Sequence, residues 1–228
     1  MFKMNVLKSS HNSTDPLNLK TRMRLLDAAG EVFAEHGFRK TTVREICKRA
    51  NANLAAVNYH FRDKESLYSA VLLYAHRCAC EKYPPNLGLR GDATVEQRLL
   101  AHVRSLLLRI FDEGRPAWHG KLMSREMIEP TRALDTLVEN NIRPLSQQLE
   151  LIVSGLLGQQ ANNRQVRLCT MSIVAQCLFY HHARPVISRL YPKQKYSPED
   201  VEQLADHITH FSLGALKEFG KQLEMVKR

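Results

Sequence analysis

The sequence predicts an all-α protein. Three observations carry that: apolar residues recur at helical spacing through most of the chain, period-2 alternation is absent, and no Asn-Gly or Asp-Gly hairpin signal occurs. With 228 residues, 44% of them hydrophobic and 25% charged, the chain can bury a substantial core. No apolar run approaches the ~18 residues of a membrane span. Residues 1–20 lack the sustained apolar stretch of a secretory signal, so the expected location is the cytoplasm, with no membrane partner. Five cysteines without a C-x-x-C pair fit reduced, largely buried thiols.

Residues 1–19 read as a flexible polar arm. The first helix is expected over Thr21 to His36, with Leu25, Leu26, Ala28, Ala29, Val32 and Phe33 on its apolar stripe. Gly37 suits the residue just past its end. Thr41 or Thr42 caps a short helix carrying Val43, Ile46, Cys47 and Ala50 on one face. Asn51 tolerates the left-handed conformation that a tight turn requires, and Asn53 can cap the next short helix, Leu54 to about His60. Asp63 caps a long fourth helix that Pro84-Pro85 must end.

Beyond the prolines, Thr94-x-x-Gln97 is a capping box before an apolar run to about Phe111. A helix is expected from Ala117 to Glu129. Another starts at Thr131, and Pro144 must kink or split it. Asn162-Asn163 precedes a helix reaching about Arg184, apolar nearly all round between Leu168 and Tyr180. Ser197-Pro198 opens the last helix, which runs to about Glu224. Its expected core stripe is Val201, Leu204, Ile208, Phe211, Ala215 and Phe219. A helix apolar on more than one face needs a second apolar neighbour, within the domain or on another subunit.

The net charge is +10, and residues 1–82 hold 14 Lys and Arg against 8 Asp and Glu, compared with 19 against 15 in the remainder. The N-terminal third is the more basic part per residue, which favours an anionic partner there. Within it, Thr42 to Lys64 has the layout of a helix-turn-helix: two short helices, a three-residue turn, a supporting helix before and a long one after. The outward residues of the second short helix are small or polar, as close approach to base edges requires. Lys40, Arg44, Lys48, Arg62 and Lys64 surround it as candidate phosphate contacts. Taken singly, Tyr59 and Phe61 read as core packing.

At these residues the chain resembles the TetR family of bacterial transcription regulators. The matching run is Leu25-Leu26-x-Ala28-Ala29-x-x-x-Phe33-x-x-x-Gly37-Phe38, then Thr41-Thr42-Val43-x-x-Ile46, then Val57-x-Tyr59-His60-Phe61-x-x-Lys64-Glu65-x-Leu67. The resemblance implies a helix-turn-helix DNA-binding domain over residues 20–66 and a helical ligand-binding and dimerisation domain over 67–228. It implies DNA contacts from Thr42 and Arg44, from Asn53, Leu54, Ala55, Ala56, Asn58, Tyr59 and His60 of the recognition helix, and from Lys64. Asn51 stands where the family commonly has glycine. Asn58 stands where many members have an aromatic, which bears on operator choice. The stretch Arg125-Glu126-Met127-x-Glu129-Pro130-Thr131-x-Ala133-Leu134 is similar to the CecR-type ligand domain of a TetR subfamily.

The expectation is therefore a homodimeric transcription regulator joined through its C-terminal helices. It acts as a repressor released from a palindromic double-stranded operator by a small-molecule effector, with no cofactor. Trp118, His119, Met123, Arg125, Met127, Phe179 and Tyr180 are the candidate effector contacts, since polarizable and aromatic side chains suit adaptable pockets. Two alternatives stand beside it. One is a helical small-molecule-binding protein or enzyme without DNA function, although no H-E-x-x-H, G-x-S-x-G or Glu-x-x-His pair is present. The other is a metal-responsive regulator using Cys177 and His181, or His207 and His210, at one-turn spacing.

Overall fold

A computed structural model describes residues 16–112 and 118–225. The described residues are helical throughout, with turns between, and no strand occurs among them. The chain divides into two compact units, one ending at Val71 and one beginning at Leu72.

The first unit is built on α1 (Pro16–Lys40), α2 (Val43–Ala50), α3 (Leu54–Phe61) and the start of α4 (Lys64–Lys82). Most of the expected arm lies outside the described residues, but Pro16 to Lys20 are helical and form the first turn of α1. Gly37 has φ 77° and breaks the helical path after His36, a backbone conformation that glycine adopts without a Cβ clash. Leu25, Leu26, Ala29, Val32 and Phe33 of α1 are buried against Ile46, Val57, Phe61, Leu67 and Tyr68. Phe33, Phe38 and Tyr68 form an aromatic knot, with the Phe33 and Tyr68 rings edge to face at 4.8 Å. Burying each such large apolar side chain contributes about 1.5–3 kcal/mol.

The second unit contains the rest of α4, then α5 (Val95–Phe111), α6 (His119–Ile128), α7 (Ala133–Leu137), a π-helical turn (Val138–Ile142) and α8 (Arg143–Leu157). α9 (Asn163–His182), α10 (Arg184–Leu190) and α11 (Pro198–Met225) complete it. The capping box at Thr94 and Gln97 is present, and Asn162 forms a second one with Gln165. Ser197 and Asp200 cap α11 reciprocally. The helix expected from Ala117 begins at His119, and Ala117 itself lies outside the described residues. α7 starts at Ala133 rather than Thr131; the Thr131 hydroxyl donates to the Glu126 carboxylate and accepts the Ala133 N–H.

Pro144 marks the split expected there: α7 ends at Leu137, the π turn Val138–Ile142 intervenes, and α8 begins at Arg143. The proline sits in the first turn of α8, where its missing N–H is not needed, and the preceding turn widens to i→i+5, with the Arg143 N–H reaching the Val138 carbonyl.

The core of this unit joins Leu99, Val103 and Leu107 of α5, Leu149 and Val153 of α8, Ile173 and Cys177 of α9, and Val201, Ala205, Ile208 and Leu216 of α11. The expected core stripe of α11 divides in two. Val201 and Ile208 are buried, but Phe211, Ala215 and Phe219 are exposed, and Thr209 and Ser212 occupy the buried track beside them. α9 behaves likewise: Val166, Ile173 and Cys177 face inward while Leu168, Met171, Ala175 and Phe179 face solvent.

Candidate nucleic-acid interface

Local hydrogen bonds set the two short helices. Thr42, extended at φ −108°, accepts the Glu45 N–H and caps α2. Thr41 is buried and donates its hydroxyl to the Gly37 carbonyl at 2.8 Å, so of the two candidate threonines one caps and the other anchors the loop. Asn51 adopts the left-handed conformation at φ 46°, ψ 54° and ends α2, so asparagine fills the turn position without glycine. Its carbonyl accepts from Arg24 of α1. Asn53 then caps α3 by accepting the Ala56 N–H at 2.9 Å. The turn between the helices is thereby fixed by the Asn51 backbone, the Asn53 side chain and Arg24 of α1.

Val57 and Phe61 pin α3 to the core, and the rest of the helix turns outward. Asn53, Leu54, Ala55, Asn58 and Tyr59 are exposed, while Ala56 and His60 are half-buried. Tyr59 departs from the core reading, being 66% exposed, whereas Phe61 follows it. The difference follows from position: Val57 and Phe61 are one turn apart on the inner face, and Tyr59 lies between them on the other side. His60 stacks edge to face on Tyr59 at 5.0 Å. Burial, helped by the Arg22 charge, holds its imidazole below the ordinary range, so it meets solvent as a neutral donor and acceptor.

The basic residues sort into two groups. Lys40, Arg44, Lys48 and Arg62 are exposed and form no ion pair among the described residues. Arg49 is different: both guanidinium nitrogens grip Glu35 of α1, at 3.0 and 3.1 Å, so it ties α2 to α1. Lys64 is also engaged. Its Nζ donates to the Phe38 carbonyl at 2.9 Å and the Thr41 carbonyl at 3.1 Å, and it lies 4.4 Å from the Phe38 ring centroid. Besides being a candidate phosphate contact, Lys64 thus ties the start of α4 to the residues that lead into Thr42.

The expected effector contacts do not share one environment. Met127 and Phe179 are exposed; Trp118, Met123, Arg125 and Tyr180 are half-buried. Glu126, fully buried, accepts from the Thr131 backbone and hydroxyl and holds the α6–α7 loop. Only His119 joins a polar interior cluster, and its other members were missed: His76 and Cys80 of α4, His102 and Arg109 of α5, and Asn141 of the π turn. The sequence places His102, Ser105 and Arg109 on one face of α5, but not the residues of α4, α6 and the π turn that join them.

Cys177 and His181 do not converge on a metal. Burial pushes the Cys177 thiol up to about 12, His181 hydrogen-bonds Ser124 at 3.1 Å, and no metal-holding group of three His, Cys, Asp or Glu occurs among the described residues. A recess of about 390 Å³ beside α10 is lined by Arg184, Ile187, Ser188, Gln194, Lys195 and Tyr196. No described helix is long and apolar enough to cross a membrane.

A capped helix-turn-helix with an outward second helix and a cationic rim defines a DNA-binding regulator. The comparisons with known proteins agree. Residues 25–71 match the model of the bacterial regulatory proteins of the tetR family, and residues 95–216 match the C-terminal domain of the HTH-type transcriptional dual regulator CecR. The chain belongs to the TetR family of transcription regulators, with a CecR-type C-terminal domain. The dual regulator CecR of Shigella flexneri is 28% identical over 204 residues, covering 83% of this chain and 88% of that one. A protein of Escherichia coli named "Probable acrEF/envCD operon repressor" is 40% identical over 103 residues, 40% of this chain and 47% of that one. Among solved structures, a tetR-family regulator from Rhodococcus aligns with TM-score 0.62 and 22% identity, covering 85% of this chain and 95% of that one. AibR, solved with isovaleryl coenzyme A and operator DNA, aligns with TM-score 0.61 and 18% identity, covering 84% and 97%. At these identities the solved structures support the fold.

Proposed function

We propose that this protein is a homodimeric repressor that reads a palindromic operator with α3 and leaves it when a small molecule enters the C-terminal bundle. The observation that carries the reading is the outer face of α3. Leu54, Ala55, Asn58 and Tyr59 are presented together by a helix anchored through Val57 and Phe61. Asn58 offers the amide that pairs with adenine edges, and Leu54, Ala55 and the Tyr59 ring offer apolar contact to thymine methyls. Thr42, Asn53, Ala56 and His60 flank that face, and Lys40, Arg44, Lys48 and Arg62 supply phosphate contacts and salt dependence.

The proposed division is residues 20–66 for DNA and 67–228 for ligand and dimer. The dimer surface is the apolar exposed face of α9 and α11, with Leu168, Met171, Phe179, Phe211 and Phe219 uncovered in one chain. Two α3 helices then enter successive major grooves, about 34–36 Å apart or a multiple of it. The α4 helix carries Lys64 and Leu67 in the first unit and His76 and Cys80 in the second, so a ligand acting on its C-terminal half alters the helix that bears the DNA-binding unit. Linkage then makes effector and operator weaken each other; tenfold release needs ~1.4 kcal/mol of coupling. The proposed role is regulatory, not catalytic, and the proposed location is the cytoplasm.

The test is selection of genomic fragments by purified protein at two salt concentrations. Enrichment of one palindromic site is the expected result. Capture that is salt-sensitive but indifferent to sequence contradicts the reading.

A further inference from the structure

Arg109 is the charge in the second unit that the fold leaves unbalanced. It is 8% exposed. Its Nε donates to the Ser105 carbonyl at 3.2 Å and its Nη1 to the Cys80 sulfur at 3.1 Å. Both acceptors are neutral, and among the described residues no carboxylate lies within ion-pair distance of it. The nearby Asp112 already holds Lys82 at 2.6 Å. A guanidinium cannot shed its proton to escape burial, so the positive charge remains inside the bundle.

Apart from Asp112, which acts on His119 and is itself paired with Lys82, the groups around it are polar and neutral. His76 Nδ1 accepts from the Asn141 amide nitrogen at 3.3 Å and lies 3.5 Å from the Cys80 sulfur. The His119 ring lies 6.5 Å from His76, and its buried Nε2 has no hydrogen-bond partner. Burial and the Arg109 charge push His76, His102 and His119 down to about 4, so at neutral pH all three are neutral. A lone buried charge is strongly unfavourable, and a buried orphan imidazole nitrogen adds to the cost. Both costs are relieved by one kind of guest. A carboxylate or phosphate oxygen pair meets the planar fork of a guanidinium, and a neutral imidazole N–H completes its hydrogen bonds.

We propose that the effector of this regulator carries an oxyanion, a carboxylate or a phosphate, which Arg109 receives inside the C-terminal bundle with His119 as its hydrogen-bonding neighbour. This rests on the regulator reading above and names the ligand class for it. The anion site includes His76 and Cys80 of α4, so occupancy bears on that helix directly. The π turn that brings Asn141 to His76 contributes the third side.

The experiment follows thermal unfolding of the full chain at constant ionic strength set with chloride. Benzoate, phenyl phosphate and inorganic phosphate are titrated, with benzamide as the uncharged counterpart. The variants are Arg109→Met and, as a control cation on the surface, Arg90→Met. The expected result is a saturable rise in Tm with at least one oxyanion and none with benzamide. Arg90→Met keeps that rise, and Arg109→Met weakens apparent anion affinity at least tenfold. Without anion, Arg109→Met has a Tm equal to or above that of the parent, because it removes an uncompensated buried charge. Response to benzoate assigns a carboxylate, and response to either phosphate alone assigns a phosphate. The proposal is overturned if no oxyanion acts beyond chloride, if Arg109→Met responds like the parent, or if Arg109→Met lowers the anion-free Tm. Parallel gel shifts on genomic fragments separate the two readings. Anion binding through Arg109 in a protein that selects no DNA sequence overturns the regulator and leaves this site standing; specific DNA binding without an anion response does the reverse.

Discussion

Lys64 donates its ammonium to the carbonyl of Phe38 at 2.9 Å, joining the first residue of α4 to the end of α1. The same nitrogen reaches the Thr41 carbonyl, one residue before the cap of α2. A cation at this place therefore fixes the entry of the helix-turn-helix. Lys64→Met is expected to destabilise the protein by about 1–3 kcal/mol, the range for charged hydrogen bonds lost from a part-buried site. Denaturant unfolding measures it. A variant of unchanged stability whose DNA binding only loses salt dependence would contradict this structural role and leave Lys64 as a phosphate contact alone.

The apolar faces of α9 and α11 give a second prediction. Met171 and Phe211 are 60% and 64% exposed, so charge there costs the isolated chain little. Met171→Glu with Phe211→Glu is expected to leave helix content unchanged and convert the dimer to monomer in sedimentation, with operator affinity falling at least tenfold. A parent chain that sediments as a monomer, or a double variant that stays dimeric, contradicts the proposed interface.

The buried histidines predict a pH dependence. His76, His102 and His119 are held near 4 when folded, against about 6.5 when unfolded. Below pH 6.5 the unfolded chain binds the protons that the folded chain refuses. Their contribution is therefore complete above pH 7 and is lost as the pH falls from 6.5 through 4. The steepest slope approaches about 1.4 kcal/mol per pH unit for each imidazole. Beside burial, the groups acting on them are Arg109, which lowers all three, His119, which lowers His76, and Asp112, which opposes the shift at His119. His102→Gln is expected to flatten the loss between pH 6.5 and 5 in chemical denaturation; equal slopes in parent and variant would contradict the burial account.

What the sequence disclosed and what it concealed divide along local and long-range physics. The caps at Thr42, Asn53, Asp63, Thr94 and Ser197 were legible because each depends on hydrogen bonds within three residues. The αL turn at Asn51 was legible for the same reason. The Arg109 cluster was not, since it exists only where α4, α5, α6 and the π turn meet. Met127 and Phe179 were assigned to an effector pocket on side-chain type alone, and the packing turns both outward. Phe211 and Phe219 were assigned to a core stripe by spacing, whereas Thr209 and Ser212 lie on the buried side. Apolar periodicity locates a helix, but not which of two adjacent faces its neighbours cover.

The central claim is that α3 reads sequence while the surrounding cations bind backbone. The most direct measurement compares Asn58→Ala with Arg44→Ala on the selected operator and on a scrambled duplex across a salt series. Both side chains are exposed and form no hydrogen bond or ion pair with another described residue, so stability is expected to stay within about 0.5 kcal/mol. Asn58→Ala is predicted to lose about 1–3 kcal/mol of preference for the operator and to keep its salt slope. Arg44→Ala is predicted to weaken both duplexes alike and to reduce the salt slope by about one. An Asn58→Ala variant with undiminished operator preference would contradict the account.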